Sequence, residues 1–294
     1  MSYEHPLAYL LGVEGLALLR GFIGEFDQKF VDDRIAEVRR LVNDDSLRDA
    51  AVDVARVEPD EGYRLWARSY DAGRNTAFDF DEPMMIEIID PLPPGIALDA
   101  ACGTGRWTQH LTARGHQVIG VDGSPEMLAH AQNRAPTAEF RQGDLRALPV
   151  ETDSVDLVVC SLALTHAPEL DPIIAEFARV LRPGGHLALA DMHPERVLRG
   201  AIPTLRRANG QPARPASYRH LVGDYLRAAL RVGLQPKACV EPTIATDPEP
   251  RRPARDLGPW EVWPWSLAEL VPDASDAADD GVPVMLIWHF QLAQ

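Results

Sequence analysis

The sequence predicts an α/β fold with a doubly wound parallel sheet, and three observations support this class. Between residues 81 and 191, short apolar segments alternate with segments of helical periodicity. The first apolar segment, "GIALDA", leads directly into the glycine-containing turn "ACGTGR". The chain has 294 residues, 46% of them hydrophobic, which is enough for one sizeable α/β domain with additional elements.

The alternating region predicts strands joined by helices, and right-handed crossovers would make these strands parallel. Asp81 and Ser124 are the predicted N-caps of two helices, because short polar side chains accept hydrogen bonds from the first backbone N–H groups. The predicted strands are "GIALDA", "HQVIGVD", "AEFRQGD", "DSVDLVVCSLAL" and "HLALAD". The predicted helices are "DEPMMIEIIDPL", residues 106 to about 114, "SPEMLAHAQNRA" and "DPIIAEFARVLRPGG".

The segments on either side of this region predict further elements. Residues 1–60 have helical periodicity, as in "VDDRIAEVRRLV", and predict an N-terminal helical extension that serves as a lid or an oligomerisation element. Residues 61–294 are predicted to form the main domain, with 195–220 and 245–282 as insertions on the substrate side. Within it, "SYRHLVGDYLRAALRVGL" predicts a helix with Ser217 as N-cap, and "KACVEPTI" and "VPVMLIWHFQL" predict two late strands.

Composition and charge limit the partners of the chain. A net charge of −15 opposes binding to a phosphate backbone, so nucleic acid is not expected as a partner. No apolar stretch reaches the roughly 18 residues of a membrane span, and the start "MSYEHPLAYLLGVEG" lacks the basic segment of a signal peptide. The three cysteines have no paired spacing, so neither a disulfide framework nor a metal site is expected. We therefore expect a cytoplasmic protein without a metal.

The turn after the first strand is predicted to hold a nucleotide, because ligands of doubly wound sheets bind at the carboxyl ends of the strands. Gly103 and Gly105 lack a Cβ, so a ligand can lie against the backbone there. No Gly-Lys-Ser/Thr follows, which excludes a phosphate-binding P-loop. The dinucleotide pattern would read "GTGRWT", with Thr108 in its last place, which argues against a nicotinamide dehydrogenase.

Three residues near the next strand ends have side chains suited to a nucleoside. Asp122 ends the second strand, where a carboxylate accepts both ribose hydroxyls. Asp144 ends the third strand and would accept a hydrogen bond from the exocyclic amine of adenine. Met127, one turn into the following helix, would cover the adenine face. Each has an ordinary alternative: Asp122 as a helix N-cap, Asp144 as a loop acid and Met127 as a core residue.

Five segments together resemble the class I S-adenosylmethionine-dependent methyltransferases, in particular their small-molecule branch. These segments are "LDAACGTGR", "VDGSPEML", "RQGDLRALP", "DSVDLVVCSLALTH" and "RVLRPGGHLALAD", and the resemblance covers about residues 60 to 294. It implies a Rossmann-like sheet of seven strands with the last strand antiparallel. It also implies S-adenosylmethionine as the cofactor and S-adenosylhomocysteine as the product. The family pattern usually has glycine where this sequence has Ala101.

The resemblance assigns roles to residues around the turn. Ala101 and Gly103 are implied to approach the methionine part of the cofactor, and Ser161 to lie beside the sulfonium. Tyr70, in an upstream Tyr-Asp element, is implied to fold over the cofactor, and Leu145 to contact the adenine. The complete implied cofactor site is Tyr70, Asp99, Ala101, Gly103, Asp122, Gly123, Met127, Asp144, Leu145 and Ser161.

The sulfonium of this cofactor is an activated methyl donor, so methyl transfer needs an aligned nucleophile about 3 Å from the methyl group and no metal. A hydroxyl nucleophile gains from a base with a pKa near neutral, such as histidine. His166 and His193 follow central strands at the ligand-binding edge. His166 and Asp191 also match the base and acid of the related sugar and natural-product O-methyltransferases. The predicted base is His166 or His193, with Asp191 orienting the ring; the alternative is that neither histidine acts as a base.

Aromatic residues are candidates for the wall of a substrate pocket, since their rings stack on flat or sugar ligands. The tryptophans among them have an equally supported alternative as core or dimer contacts. The candidate substrate-binding residues are Trp66, Tyr218, Tyr225, Trp260 and Trp263.

The sequence therefore predicts a methyltransferase that acts on a small molecule, with a hydroxyl of a secondary metabolite as the preferred acceptor. Two alternatives stay open. One is an enzyme of this fold that catalyses another reaction, such as a cyclisation, and the other is a non-catalytic cofactor-binding protein. A homodimer is also an open alternative to a monomer.

Overall fold

The structure, a computed structural model, describes residues 2–66, 76–244 and 251–294, and for Asp60 and Trp66 the backbone alone. The chain divides into two compact units, each with its own sheet and hydrophobic core. None of the helices in the described ranges combines the length and apolarity that crossing a bilayer requires. The first unit comprises Met1–Val57, Arg199–Pro215 and Thr243–Val282, and the second comprises Glu58–Leu198, Ala216–Pro242 and Pro283–Gln294.

The elements are numbered in chain order. The strands are β1 Ser2–Glu4, β2 Val52–Val57, β3 Ile96–Ala100, β4 Gln117–Asp122, β5 Glu139–Gln142, β6 Val155–Ser161, β7 Leu181–Met192, β8 Leu205–Arg206, β9 Pro212–Pro215, β10 Leu234–Val240 and β11 Met285–Leu292. The helices are α1 Pro6–Phe22, α2 Gln28–Val42, α3 Asp45–Arg48, α4 Pro59–Trp66, α5 Phe78–Ile89, α6 Arg106–Ala113, α7 Pro125–Arg134, α8 Asp171–Val180, α9 Pro194–Leu198, α10 Val222–Arg231, α11 Trp265–Ala268 and α12 Pro272–Asp279.

The first unit packs helices against a four-stranded sheet with the order β1-β2-β9-β8. Helices α1 to α3 agree with the predicted N-terminal helices, and β1 and β2 add two strands that the helical periodicity did not indicate. Strand β2 pairs in parallel with β9, so the N-terminal stretch shares a sheet with residues that follow position 198. The core of this unit contains Leu10, Ala17 and Val54 together with Trp260 and Trp263.

The second unit is built on a seven-stranded sheet with the order β10-β11-β7-β6-β3-β4-β5. The strands from β3 to β7 are parallel, and β11 runs antiparallel to both of its neighbours. This confirms the Rossmann-like sheet with an antiparallel last strand. Successive residues of a strand point to opposite faces: Leu98 packs into the core that contains α8 and α10, and Ala97 into the core that contains α5 and α6.

Two predicted helix starts differ from the structure, whereas the cap of α7 is confirmed by a hydrogen bond from Met127 N to Ser124 Oγ. Helix α5 begins at Phe78, so Asp81 lies in its first turn and does not cap it. Helix α10 begins at Val222 and not after Ser217. The residues before α10 are not helical, and their polar groups bond to the segment after β6.

Candidate functional site

A cavity of about 720 Å³ lies in the second unit at the carboxyl ends of β3, β4, β5 and β6. Its position is the one expected for a ligand of a doubly wound sheet. The structure brings together at this cavity ten of the residues that the sequence singled out. They are Ala101, Gly103, Asp122, Gly123, Met127, Asp144, Leu145, Ser161, His166 and Tyr218.

The turn after β3 forms one wall of the cavity through an unusual backbone conformation. Ala101 and Gly103 both have positive φ, 58° and 53°, a region that residues other than glycine seldom adopt. A Cβ built on Gly103 would meet no atom within 4 Å. The backbone of Gly103 is thus open to the cavity, and a ligand can approach it closely.

Asp122 links this turn to the start of α7. Its Oδ2 accepts a hydrogen bond from Gly103 N at 2.8 Å, and its Oδ1 accepts one from Ser124 N at 2.9 Å. Because Ser124 caps α7, the alternative of Asp122 as the N-cap is wrong. The carboxylate is held in a fixed orientation at the cavity wall, where it can accept hydroxyl donors.

The predicted adenine end of the cavity combines a buried methionine with an exposed acid. Met127 is 1% exposed. Asp144 forms an ion pair with Arg146, with 2.6 Å between Oδ2 and Nη2. The hydrogen bond from Arg146 holds the pKa of the Asp144 carboxyl below its usual range, so this group is an acceptor at neutral pH.

His166 lies in a 3-10 turn, Leu164–His166, directly after β6. Its Nδ1 lies 2.8 Å from the carbonyl oxygen of Ala216, and a carbonyl only accepts, so Nδ1 carries the proton. Nε2 therefore has the lone pair. Burial lowers the pKa of His166 from its ordinary value of 6.5, so the imidazole is neutral at pH 7. Tyr63 meets the ring edge-on, with 5.5 Å between centroids.

Asp191 fixes the residue before His166. Its carboxylate accepts from the backbone N and Oγ1 of Thr165 at 2.6 and 2.5 Å, from Met192 N at 2.8 Å, and from the Tyr225 hydroxyl at 3.2 Å. Burial raises its pKa above the ordinary value. The described contacts place Asp191 behind the 3-10 turn and not in hydrogen-bond contact with the His166 ring.

His193 does not line the cavity. Its Nε2 lies 2.9 Å from Glu241 Oε1, and its Nδ1 accepts from Glu195 N at 3.2 Å. Both ring nitrogens thus have partners, Glu241 directly after β10 and Glu195 in α9, and the residue is 6% exposed.

The other predicted site residues lie away from the cavity lining. Asp99 is buried under the turn and accepts from Thr108 Oγ1 at 2.6 Å; burial raises its pKa to about 6. Tyr225 is 2% exposed and bonds to Asp191. Trp260 and Trp263 lie in the core of the first unit, which favours the core alternative for both. Tyr70 and the side chain of Trp66 lie outside the described residues.

Sequence reasoning missed the partners of Ser161. Asp81, predicted as an N-cap, is fully buried and accepts hydrogen bonds from Ser161 Oγ and Arg106 Nη2, both at 2.5 Å. Arg106 directly follows the glycine turn, and this position beside the ligand-binding loop is the sequence feature that could have indicated its place at the site. The acid that it pairs with lies 25 residues upstream, where local patterns do not reveal it.

Comparisons with known proteins identify the family. A family model described as a methyltransferase domain matches residues 98–189. An uncharacterized methyltransferase of Emericella nidulans is 31% identical over 222 residues, which is 61% of this chain and 76% of that protein. The chain belongs to the class I S-adenosylmethionine-dependent methyltransferase family.

One further sequence match agrees with this family, and one solved structure shares the fold. A malonyl-[acyl-carrier protein] O-methyltransferase of Yersinia pestis is 32% identical over 119 residues, 40% of this chain and 44% of that enzyme. The chain spans about half the length of several curated relatives that it matches. An S-adenosylmethionine-dependent methyltransferase of Mesorhizobium loti shares the fold, with a TM-score of 0.50 and 22% identity over 71% of this chain and 96% of that one.

S-adenosylmethionine is the cofactor of this family, and the cavity has the residues to hold it. Gly103 leaves its backbone accessible, and Asp122 is oriented by two backbone donors. Asp144, Leu145 and Met127 line the cavity beyond it. The described residues contain no group of three or more His, Cys, Asp or Glu side chains placed to hold a metal ion.

Proposed function

We propose that the protein transfers the methyl group of S-adenosylmethionine to a hydroxyl of a small molecule, a secondary metabolite, with His166 as the general base. When bound, the cofactor supplies a sulfonium-activated methyl group. The single observation that carries the proposal is the position of His166, whose Nδ1 contacts the Ala216 carbonyl, at the same cavity as Ala101, Gly103 and Asp122.

His166 has the tautomer and the charge state that proton abstraction requires. The carbonyl of Ala216 holds the Nδ1 proton, so the free lone pair belongs to Nε2. Burial keeps the ring neutral at pH 7. A neutral imidazole positioned at an acceptor hydroxyl would take its proton as the oxygen attacks, an effect that typically contributes about 10²–10⁴-fold.

Asp191 acts in this scheme as a positioning residue. It binds both the backbone and the side chain of Thr165, and therefore fixes the 3-10 turn that carries His166. The contacts of His193 with Glu241 and Glu195 favour His166 over His193 as the base.

The acceptor end of the cavity supports a small organic substrate. Tyr63, His166 and Tyr218 line it, and aromatic side chains bind flat or sugar-like molecules through their faces and edges. The net charge of −15 disfavours a nucleic-acid substrate. The relative from Yersinia pestis is named as an O-methyltransferase, the same class of transfer.

The test is a screen of small hydroxyl and amine compounds with S-adenosylmethionine, in which mass spectrometry detects the gain of one methyl group. For an accepted substrate, we expect His166→Gln to lower kcat by about 10²–10⁴-fold and the matched control His193→Gln to leave it within about threefold. Equal losses in the two variants, or full activity of His166→Gln, would refute the role of His166.

A further inference from the structure

An ion pair between a buried acid and a partly buried arginine contacts the cavity through Ser161. Asp81 on α5 and Arg106 at the start of α6 are joined through Oδ2 and Nη2 at 2.5 Å. Ser161 ends β6 and lines the cavity. Its Oγ lies 2.5 Å from the same Asp81 oxygen and 3.3 Å from the same Arg106 nitrogen.

The chemistry of the two partners fixes the direction of both hydrogen bonds of Ser161. An ionised carboxylate only accepts, and a guanidinium only donates. The Ser161 hydroxyl must therefore donate to Asp81 and accept from Arg106. A hydroxyl has one proton and two lone pairs, so one lone pair is left. The side chain can offer an acceptor to the cavity and has no proton to donate there.

The pair packs against aromatic rings, and its burial has an energetic cost. Asp81 is fully buried, and the Arg106 guanidinium lies over the rings of Phe78 and Trp107, at 4.1 and 4.8 Å from their centroids. Asp81 Oδ1 has no hydrogen-bond partner among the described residues, and Arg106 Nη1 has only an ion-pair contact with Glu82 Oε2 at 3.8 Å. Unpartnered buried polar atoms are destabilising and rare, so the retention of Asp81 Oδ1 without a partner calls for a functional reason.

The order of the strands indicates which part of a nucleoside ligand reaches Ser161. Along the sheet, the cavity residues occur as Asp144 after β5, Asp122 at the end of β4, Gly103 after β3 and Ser161 at the end of β6. With the adenine at Asp144 and the ribose at Asp122, the methionine part of the cofactor extends toward Ser161. The strong hydrogen-bond donor in that part is its α-ammonium group.

We propose that Asp81 and Arg106 are positioning residues that hold Ser161 as a pure acceptor, and that Ser161 Oγ binds the α-ammonium group of the cofactor. This inference rests on the proposed function, because it takes S-adenosylmethionine as the ligand. It assigns to the ion pair a role in distinguishing ligands with the amino-acid end from nucleosides without it.

The test compares two ligands by calorimetry: S-adenosylhomocysteine, which has the amino-acid end, and 5′-methylthioadenosine, which lacks it. We expect Ser161→Ala and Asp81→Asn each to weaken the binding of S-adenosylhomocysteine about 10- to 100-fold, which is the range for a hydrogen bond to a charged group. Binding of 5′-methylthioadenosine should stay within about twofold. In a Ser161→Ala background, Asp81→Asn should add less than about twofold, because its effect passes through Ser161.

The control is Glu14→Gln, which alters a fully buried acid paired with an arginine, Arg34, in the first unit. It should leave both affinities unchanged. Ser161→Ala tests the proposal even if Asp81→Asn does not fold. Equal losses for the two ligands, unchanged S-adenosylhomocysteine binding in Ser161→Ala, or full additivity of the two substitutions would overturn the inference. Failure of the parent chain to bind either nucleoside would refute the proposed function as well.

Discussion

Gly103 and Gly105 lie two residues apart in the turn after β3, and adding a methyl group to each should have opposite consequences. Both residues have positive φ, 53° and 84°, so alanine costs roughly 1–2 kcal/mol at either position from the backbone alone. Ala101, with φ 58° in the same turn, shows that the chain tolerates a cost of this kind. The consequences differ because the surroundings of the added Cβ differ.

At Gly105 the new Cβ would lie 3.0 Å from both Cα and Cβ of Ala131 on α7. Carbon atoms do not pack this closely, so α6 and α7 must move apart, at a further cost of about 1–3 kcal/mol. At Gly103 the new Cβ meets no atom within 4 Å, and the residue lines the cavity. That methyl group would occupy space that the ligand needs.

We therefore expect Gly105→Ala to lower the free energy of unfolding by about 2–5 kcal/mol and Gly103→Ala by about 1–2 kcal/mol. Binding should show the reverse order. Gly103→Ala should weaken the binding of S-adenosylhomocysteine about 5- to 150-fold, from a steric cost of about 1–3 kcal/mol. Folded Gly105→Ala should bind close to the parent affinity.

Urea unfolding followed by tryptophan fluorescence measures the free energies of unfolding of the two variants, and titration calorimetry measures their affinities for S-adenosylhomocysteine. Parent affinity in Gly103→Ala would refute the reasoning, since the backbone there would then not face the ligand. A larger loss of stability in Gly103→Ala than in Gly105→Ala would also refute it.

Further predictions concern three polar side chains. Burial raises the pKa of Asp99 from 3.8 to about 6, so the folded state binds more protons than the unfolded state between these pH values. About 3 kcal/mol of stability should therefore be lost as the pH rises from 3.8 through 6. In Asp99→Asn, the urea midpoint should no longer show this part of its decrease with pH. Burial lowers the pKa of His166 below 6.5. The midpoint of the acid-side fall in kcat/KM, where the ring gains a proton, should therefore lie below pH 6.5, and a midpoint above pH 7 would contradict this role. Tyr225→Phe should cost about 1 kcal/mol of stability through the lost hydrogen bond to Asp191, with unchanged acceptor KM; a raised KM would instead support the predicted substrate contact.

The sequence was most informative where periodicity placed a residue at a strand end. Once β4 and β5 were recognised, Asp122 and Asp144 had to lie at the same edge of the sheet, because parallel strands end together. Ser124 as the cap of α7 follows equally from its neighbours, Pro125 and Glu126.

Long-range polar contacts were beyond such reasoning. Asp81 looks like an N-cap because it precedes Glu82 and Pro83, and its partner Ser161 lies 80 residues away. Tyr225 has the spacing of a helix face, but nothing local shows that its hydroxyl meets Asp191 instead of a ligand. Strand β2 was missed because its partner β9 is remote in the sequence.

The most direct test of a cofactor site at the strand ends is calorimetric titration of the parent chain and of Asp122→Ala with S-adenosylmethionine, S-adenosylhomocysteine and NAD. The carboxylate of Asp122 orients the turn through Gly103 N and lines the cavity. We predict binding of both sulfur nucleotides with micromolar affinity, loss of that binding in Asp122→Ala, and no binding of NAD. Absence of binding by either sulfur nucleotide to the folded parent chain would contradict the account.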